Sequence, residues 1–348
     1  MAGRVRQRKT HLGFVLATAA AIAIPTAAPG VFAPPPVSAA PTTAAYQPVG
    51  PVRVADTRRT KCGCTRLNNS TVEVDISGHP NLPNDAVAVA ITVTVTRTAS
   101  PGYVTVYPAG TPRPFVSTLN TQVDRAVANS AIIPLEPNGR IALFQLVKGD
   151  VIVDVTGVFV AADAARSGRF VPVSGRRLVD TRRPGPGSGP LGRNQDLTVP
   201  LPAVVDPDAT ALVVNVTNVD DPAVSYLSAR PAGQPATTTS FLNTGGWGQP
   251  VASATTIPVS PDGFTIRSSR GGNVIVDLLG WYTGPSAASS TDGLFVPITP
   301  QRIFDSRTRP GRLYAGGTIE IASPVTGAAS LVTNVTLTQP DRRGYVTA

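Results

Sequence analysis

The sequence predicts an all-β fold made of antiparallel β-sandwich modules in tandem. Apolar residues alternate with small or hydroxyl residues over short stretches, which is typical of strands with one buried face. Asn-Gly and Asp-Gly pairs, which favour tight hairpins, separate some of these stretches. Seven or eight short strands per repeat, with no helical pattern, favour a β-sandwich of jelly-roll or Greek-key order over a closed barrel.

The first 39 residues have the organisation of a secretion signal. Basic residues between positions 4 and 9 precede an apolar run at 12–24, and Val37-Ser38-Ala39 offers a small-residue cleavage pattern. The run is shorter than the roughly 20 residues that span a bilayer, so an uncleaved anchor is the weaker alternative. We therefore expect cleavage after Ala39 and an extracellular protein, secreted or cell-wall-associated, that does not span the membrane.

The charge pattern argues against nucleic-acid binding. The formal net charge is +9, and four of these charges lie in the predicted signal, which leaves five. The remaining arginines are scattered, whereas nucleic-acid binding needs a coherent basic face. The predicted partner class is a cell-wall polymer or glycan, because the remaining positive charge would give a mild attraction to anionic cell-wall polymers.

A long repeat divides the chain into modules. The opening aspartates Asp56, Asp180 and Asp305 lie 124 and 125 positions apart, which exceeds the roughly 20–50 residues of solenoid repeats. We expect a first repeat at 46–160 and a second at 169–283. A third begins at 294, and we expect it to be incomplete at 348. Small-residue stretches at 161–168 and 284–293 are the predicted linkers.

The strands of the first repeat follow from alternation, turns and composition. Val89, Ile91, Val93 and Val95 share one face of the longest stretch, together with Val87. The hairpin turn Pro137-Asn138-Gly139 joins the fourth and fifth predicted strands. The predicted strands are 71–76, 86–96, 102–108, 126–134, 140–146 and 151–160.

An acidic residue recurs at each end of the repeat. Asp56-Thr57-Arg58 and Asp180-Thr181-Arg182 open the first two repeats, while Asp154 and Asp277 lie within their apolar closing strands. A carboxylate in such a strand is costly unless it is paired. We predict that Arg58 binds Asp154 and that Arg182 binds Asp277, with Arg53 as the reserve partner in the first repeat. The alternative is that the carboxylates act as a glycosidase pair.

These motifs resemble a repeat of secreted and cell-wall-associated proteins of actinobacteria. In the first repeat they are Pro51-Val-Arg53, the Asp-Thr-Arg triplet, Gly102 to Pro108 and Val151 to Phe159. An Asn-Val-Thr element occurs at 215–217 and 334–336, but the first repeat has Thr92-Val93-Thr94 instead. The resemblance covers nearly the whole chain after the signal. It implies surface modules, standing alone or attached to hydrolases, and assigns no chemistry to any residue.

Cys62 and Cys64 are separated by one glycine in a loop of the first repeat. In an exported protein this spacing favours a local disulfide over a metal or redox site. His79 is the one histidine after the signal, and its Gly-His-Pro setting predicts an exposed loop and no catalytic triad.

Trp247 is a candidate for stacking on a ligand, because glycines flank it and the first repeat has no equivalent. Local packing is the alternative for Trp247, and core or interdomain packing is predicted for Trp281. The acidic pairs at 206–208 and 220–221 lack the spacing of a calcium loop, so we predict no metal site and no cofactor.

The sequence therefore predicts an exported, non-catalytic repeat protein that serves surface display, adhesion or cell-wall and glycan targeting. Repetition suits this function because linked weak sites act at high effective concentration. Two alternatives stay open. One is a secreted hydrolase that cleaves glycan or peptide with an unrecognised active site, and the other is a structural spacer.

Overall fold

The computed structural model describes residues 42–348, except 186, 247, 309–312, 340, 343, 345 and 348. The described residues contain seventeen strands and no helix. The first repeat supplies β1 (Ala44–Asp56), β2 (Thr65–Arg66), β3 (Thr71–Asp75), β4 (Ala86–Thr96), β5 (Gly102–Pro108), β6 (Leu119–Thr121), β7 (Val127–Pro134), β8 (Arg140–Gln145) and β9 (Asp150–Ala161). The second supplies β10 (Phe170–Asp180), β11 (Gln195–Val199), β12 (Ala211–Val219), β13 (Ser225–Pro231), β14 (Leu242–Thr244), β15 (Val251–Pro258), β16 (Phe264–Ser268) and β17 (Asn273–Tyr282).

Each of these two repeats folds into two antiparallel sheets. The sheets of the first repeat have the orders β1-β9-β4-β7 and β2-β3-β8-β5-β6. Those of the second have the orders β10-β17-β12-β15 and β11-β16-β13-β14. Apart from the two-residue β2, the eight-strand order is the same in both repeats and is that of a jelly roll. The prediction of tandem β-sandwiches is confirmed, and the closed barrel is excluded because both sheets of each repeat have free edges.

The core of each module lies between its two sheets. Val89, Ile91, Val93 and Val95 on β4 are at most 1% exposed and belong to one apolar cluster, as their alternation predicts. Burial of each such side chain stabilises the fold by about 1.5–3 kcal/mol. Val87 is displaced from this face by a register irregularity between Ala86 and Ala88, and it packs on a different cluster.

That different cluster is an aromatic hub where the repeats meet. Its five rings come from the opening and closing aromatic residues of the repeats. Small alanines of β4 lie beneath the rings and allow them to approach the sheet. The hub residues are Tyr46, Phe159, Phe170, Tyr282 and Phe295.

Three backbone hydrogen bonds connect the repeats around this hub. In each bond, the amide of an opening aromatic donates to the carbonyl two residues before another opening aromatic. The bonds run from Tyr46 to Gly168 (2.9 Å), from Phe170 to Gly293 (2.7 Å) and from Phe295 to Ala44 (2.8 Å). They therefore link the first repeat to the second, the second to the third, and the third back to the first. This is a cyclic, threefold arrangement of the repeat starts.

The predicted linkers also contact each other. Ala165 and Ser290, which occupy equivalent positions in the two linkers, form an isolated antiparallel bridge. The described residues of the third repeat contain no strand, although Phe295 forms a bridge with Ala44. No helix in the described part of the chain is long and apolar enough to span a membrane. The predicted signal, residues 1–39, lies outside the described residues.

Candidate functional site

The Asp-Thr-Arg triplet forms a self-paired turn at the end of the first strand in each of the first two repeats, and Asp305-Ser306-Arg307 is its counterpart in the third. The Asp56 carboxylate accepts hydrogen bonds from the Arg58 amide (3.2 Å), Nε (2.8 Å) and NH2 (2.7 Å). Asp180 accepts the same three bonds from Arg182, with equal distances. Asp305 and Arg307 repeat the pattern in the third repeat. The turn is thus a local structure that all three repeats share.

The threonine of the triplet connects the end of the first strand to the last strand through hydrogen bonds. The Thr57 amide donates to the Val151 carbonyl (2.9 Å), and the Val151 amide donates to the Thr57 hydroxyl (2.9 Å). Thr181 and Val274 make the same two bonds, at 3.0 Å each. Our sequence reasoning missed this role. Its signal was a hydroxyl residue between the aspartate and the arginine in every repeat.

The predicted Arg58–Asp154 and Arg182–Asp277 pairs are wrong. Arg53, the reserve partner, holds Asp154 through Nε (2.8 Å) and NH2 (3.1 Å), and Arg177 holds Asp277 at 2.9 and 3.1 Å. The register explains this, because Arg53 lies directly opposite Asp154 and Arg177 opposite Asp277. Strand β1 ends at Asp56, so Arg58 lies in the turn beyond the sheet.

Burial and pairing act differently on the two kinds of aspartate. The Arg58 guanidinium, through its hydrogen bonds, lowers the pKa of Asp56 below its ordinary value. Arg182 likewise lowers the pKa of Asp180 to about 2. Burial raises the pKa of Asp154, and this effect outweighs the hydrogen bonds from Arg53. The turns therefore favour the charged carboxylate, whereas Asp154 occupies a site that resists charge.

The second repeat covers the Arg53–Asp154 pair. Arg53 NH2 also donates to the Thr238 carbonyl of the second repeat (3.1 Å). Asp154 lines a cavity of about 20 Å³ between the repeats, which has room for about one water molecule. The side chain of Asp154 is 2% exposed, while that of Asp277 is 23% exposed. The closing aspartate of the first repeat therefore does not face a cleft large enough for a sugar.

The third repeat makes an equivalent contact with the first. Asn334 Nδ2 donates to the Ser117 carbonyl (2.8 Å), and Asn129 Nδ2 donates to Asn334 Oδ1 (3.2 Å). By its place in the Asn-Val-Thr element, Asn334 corresponds to Thr92, which lines the cavity described above together with Ser240. Ser240 is in turn the counterpart of Ser117. The contact of the first repeat with the second thus recurs between the third and the first.

A glycine in each closing strand makes room for the opening aromatic ring. A Cβ at Gly157 would overlap the ring of Tyr46, and a Cβ at Gly280 would overlap the ring of Phe170. The Tyr46 hydroxyl then reaches the Thr156 carbonyl (2.8 Å). The glycine of the closing motif is therefore a packing requirement of the hub.

The other predicted residues have structural settings or lie outside the described part. Cys62 and Cys64 form a disulfide in the loop after the triplet. Trp281 is buried in the core of the second repeat, and its indole donates to Asp206 (3.2 Å), so the packing prediction is confirmed. Trp247 lies outside the described residues, and its proposed stacking role stays a prediction.

The first repeat has an aromatic face on its second sheet. Val104 and Val106 point into the core, so Tyr103 and Tyr107 occupy the opposite, outer face of β5. Phe144 of β8 lies on the same face, with its ring centroid 6.0 Å from that of Tyr103. The described residues also place the Arg113 guanidinium carbon 3.7 Å from the Phe144 centroid. Phe115, two residues further along the same connection between β5 and β6, is 87% exposed. We call Tyr103, Tyr107 and Phe144 the aromatic face.

The same face of the second repeat is ionic. Arg230 and Arg267 occupy the positions of Tyr107 and Phe144, and both bind Asp196, at 2.6 and 3.0 Å. Only Tyr226 preserves an aromatic residue, at the position of Tyr103. Of the first two repeats, the first alone has the aromatic face. The described residues contain no group of three or more His, Cys, Asp or Glu side chains placed to hold a metal ion.

Comparisons with known proteins leave the family unassigned. No family model and no curated protein matches this chain. Among solved structures, it is similar to the N-terminal tandem CBM22 domains of Xyn10C from Paenibacillus barcinonensis. That likeness has 11% identity and a TM-score of 0.22, and it covers 71% of this chain and all of the other.

Proposed function

We propose that this protein is an exported, non-catalytic repeat protein that attaches to cell-wall or other extracellular glycans. The observation that carries the proposal is the aromatic face of the first repeat. Its partly exposed rings lie on a rigid sheet, where they can stack on the apolar faces of sugar rings with little loss of conformational entropy. Surface display and adhesion would follow from this binding.

Several features of the aromatic face support a ligand role over a packing role. Phe115, which follows Arg113 by two residues in the connection after β5, is 87% exposed, although a large apolar side chain gains about 1.5–3 kcal/mol from burial. The Arg113 guanidinium stacks on Phe144 and adds hydrogen-bond donors beside the rings. Sugars present apolar faces edged with hydroxyl groups, and the combination of rings and donors matches that chemistry.

The hydrolase alternative receives little support from the recurring carboxylates. Asp56 and Asp180 are held by arginines that lower their pKa, which is unsuitable for a general acid at neutral pH. Asp154 does have a raised pKa, but it is bound by Arg53 and covered by the second repeat. These carboxylates fit the architecture of the repeat better than acid catalysis.

The test is a pull-down of the purified protein with insoluble cell-wall glycans, using depletion from solution to obtain an affinity. Interface aromatic residues commonly contribute more than 1 kcal/mol each, so Tyr103→Ala with Phe144→Ala should weaken binding at least about tenfold. Tyr226→Ala is the matched control, because it removes an exposed ring from the same position of the second repeat. Thermal unfolding checks that all variants are folded.

Three results would contradict the proposal. Equal binding by the double variant and the native protein would remove the aromatic face from the site. An absence of binding to every glycan would favour the structural spacer. Release of soluble sugars or peptides from the glycan preparation, abolished by a carboxylate variant, would favour the hydrolase.

A further inference from the structure

The disulfide between Cys62 and Cys64 encloses too little of the chain to stabilise the first repeat much. The two cysteines are two positions apart, so the ring contains only one residue between them. In the chain-entropy description, a cross-link stabilises a fold by restricting the unfolded chain, and this effect grows with the number of residues enclosed. The second repeat has no cysteine, yet it folds into the same order of strands. The fold of the repeat therefore does not require this disulfide.

Backbone contacts hold the loop that carries the cysteines in place. The Asp56 amide donates to the Cys62 carbonyl (2.8 Å), which attaches the loop to the end of β1. Gly63 lies against the same strand, because a Cβ there would be 2.2 Å from the Val54 carbonyl oxygen, and its φ of 68° also favours glycine. Strand β2, which begins at Thr65, pairs with β3 and holds the other end of the loop. We expect these contacts to keep the two sulfur atoms close together after reduction, so that the disulfide can form again.

The surroundings of the pair favour a thiolate once the disulfide is opened. The Cys64 amide donates to Cys62 Sγ (3.1 Å), and such a donor stabilises negative charge on the sulfur. Lys61 precedes the pair and Arg66 follows it within two residues, with both side chains exposed. Cations beside a thiol favour its thiolate, which is the form that exchanges with disulfides. The nearest acid in the sequence, Asp56, is already paired with the arginine of its own triplet, so it does not cancel these charges.

We propose that Cys62 and Cys64 form a thiol-exchange site that oxidises pairs of thiols in other extracellular proteins. Both cysteines are partly exposed. Cys64 packs against the apolar core of the first repeat, so Cys62 is the sulfur that an incoming thiol attacks. This activity is separate from the glycan attachment proposed above and shares with it only the export of the protein to an oxidising compartment.

The exchange transfers two electrons from the client protein to the site. One client thiolate attacks Cys62 Sγ, the bond between the two cysteine sulfurs breaks, and Cys64 leaves as a thiolate that takes up a proton. A second client thiolate then attacks the client sulfur of the mixed disulfide and releases Cys62, whose thiolate the Cys64 amide stabilises. The client ends with a disulfide, and the site ends with two thiols. A small-molecule disulfide reoxidises the site by equivalent exchange steps.

The first test is equilibration of the purified full chain with about 5 mM reduced and about 0.1 mM oxidised glutathione, followed by alkylation and mass spectrometry. The chain has two cysteines, so every mass shift reports on this site. A structural disulfide of a secreted protein stays more than about 99% oxidised in such a buffer. We expect at least about half of the chains to be reduced, because the ring is small and the opened thiolate is stabilised.

The second test is oxidation of a synthetic peptide that contains two thiols. The oxidised chain should convert about one peptide per chain to its disulfide form, at least about tenfold faster than the matched variant Cys62→Ser with Cys64→Ser. That variant should unfold within about 5 °C of the native midpoint, because the disulfide encloses so few residues.

Three results would overturn the proposal. The first is a disulfide that stays more than about 99% oxidised in the glutathione buffer. The second is peptide oxidation no faster than with the double-serine variant. The third is a double-serine variant that does not fold or that unfolds more than about 10 °C below the native chain, which would assign the disulfide a structural role.

Discussion

Removal of the closing aspartate should have very different costs in the two repeats. Asp154 and Arg53 are 2% and 16% exposed, because the second repeat covers them. Asp277 and Arg177, in the same register positions, are 23% and 45% exposed. The substitutions Asp154→Ala and Asp277→Ala therefore compare one ion pair in a buried and in a solvated setting.

The burial of Arg53 determines how much the Asp154→Ala substitution should destabilise the first repeat. Loss of one partner from a buried pair costs about 3–5 kcal/mol, since the other charge is left without compensation. Arg53 retains Asp56 at 3.7 Å and the Thr238 carbonyl at 3.1 Å, so we expect the lower end, about 3 kcal/mol, for Asp154→Ala. Solvent screens the pair in the second repeat, and Asp277→Ala should cost less than about 1 kcal/mol.

Urea denaturation distinguishes the two modules. Tryptophan fluorescence follows the second repeat, which contains both tryptophans, while far-UV circular dichroism follows both repeats. With an m-value of about 2–3 kcal/mol/M, Asp154→Ala should lower the first repeat's midpoint by about 1 M.

A double variant distinguishes the free-energy cost of leaving Arg53 unpaired from the cost of losing the ion pair itself. Arg53→Met with Asp154→Leu should lie within about 1 kcal/mol of the native protein, because burial already resists the charge on Asp154. Equal costs for Asp154→Ala and Asp277→Ala would refute the reasoning, since cover by the next repeat would then have no effect.

Two further predictions concern the turn and the hub. Since Arg182 lowers the folded pKa of Asp180 to about 2 from 3.8, the stabilisation is present above about pH 4 and is lost as the pH falls through 2. Asp180→Asn should thus cost about 1 kcal/mol at pH 7, after a discount for the 42% exposure of Arg182, and almost nothing at pH 2 in urea titrations. Gly157→Ala should cost about 1–3 kcal/mol in thermal unfolding because its Cβ meets the Tyr46 ring, whereas Gly175→Ala, with no atom within 4 Å, should be nearly neutral. Equal effects at the two pH values, or at the two glycines, would contradict these assignments.

The sequence predicted the strands well because their signal is local. The alternation of Val89, Ile91, Val93 and Val95 reflects one buried face, and the structure buries all four. The β-sandwich class was also predicted, because many short strands without helices leave few ways to bury one face of each sheet, but the choice between jelly-roll and Greek-key order stayed open until the strand pairing was known. These features depend on residues close together in the chain.

The ion pairs could not be assigned from spacing alone. Strand β1 has register irregularities between Pro48 and Val52 and between Arg53 and Ala55, and these determine which arginine lies opposite Asp154. The predicted pairing of Arg58 with Asp154 requires Arg58 to lie in the first strand, but that strand ends at Asp56. That an arginine would pair with the buried carboxylate was predictable from the apolar closing strand. Which arginine pairs with it depended on backbone irregularities that have no local signal in the sequence.

Comparison of the two repeats distinguishes residues with a structural role from candidates for a binding role. Features present in both, such as the Asp-Thr-Arg turn and the glycine that admits the opening aromatic, have structural roles that each module needs. Features present in one repeat only are not required by the fold, because the other repeat folds without them. Phe144 and Arg267 share one sheet position, and Thr98 and Asp221 share one turn position, yet their chemistry differs completely. Such divergence at equivalent positions is where binding has the greatest freedom to evolve, and the aromatic face, for which we propose glycan binding, lies at such positions in the first repeat.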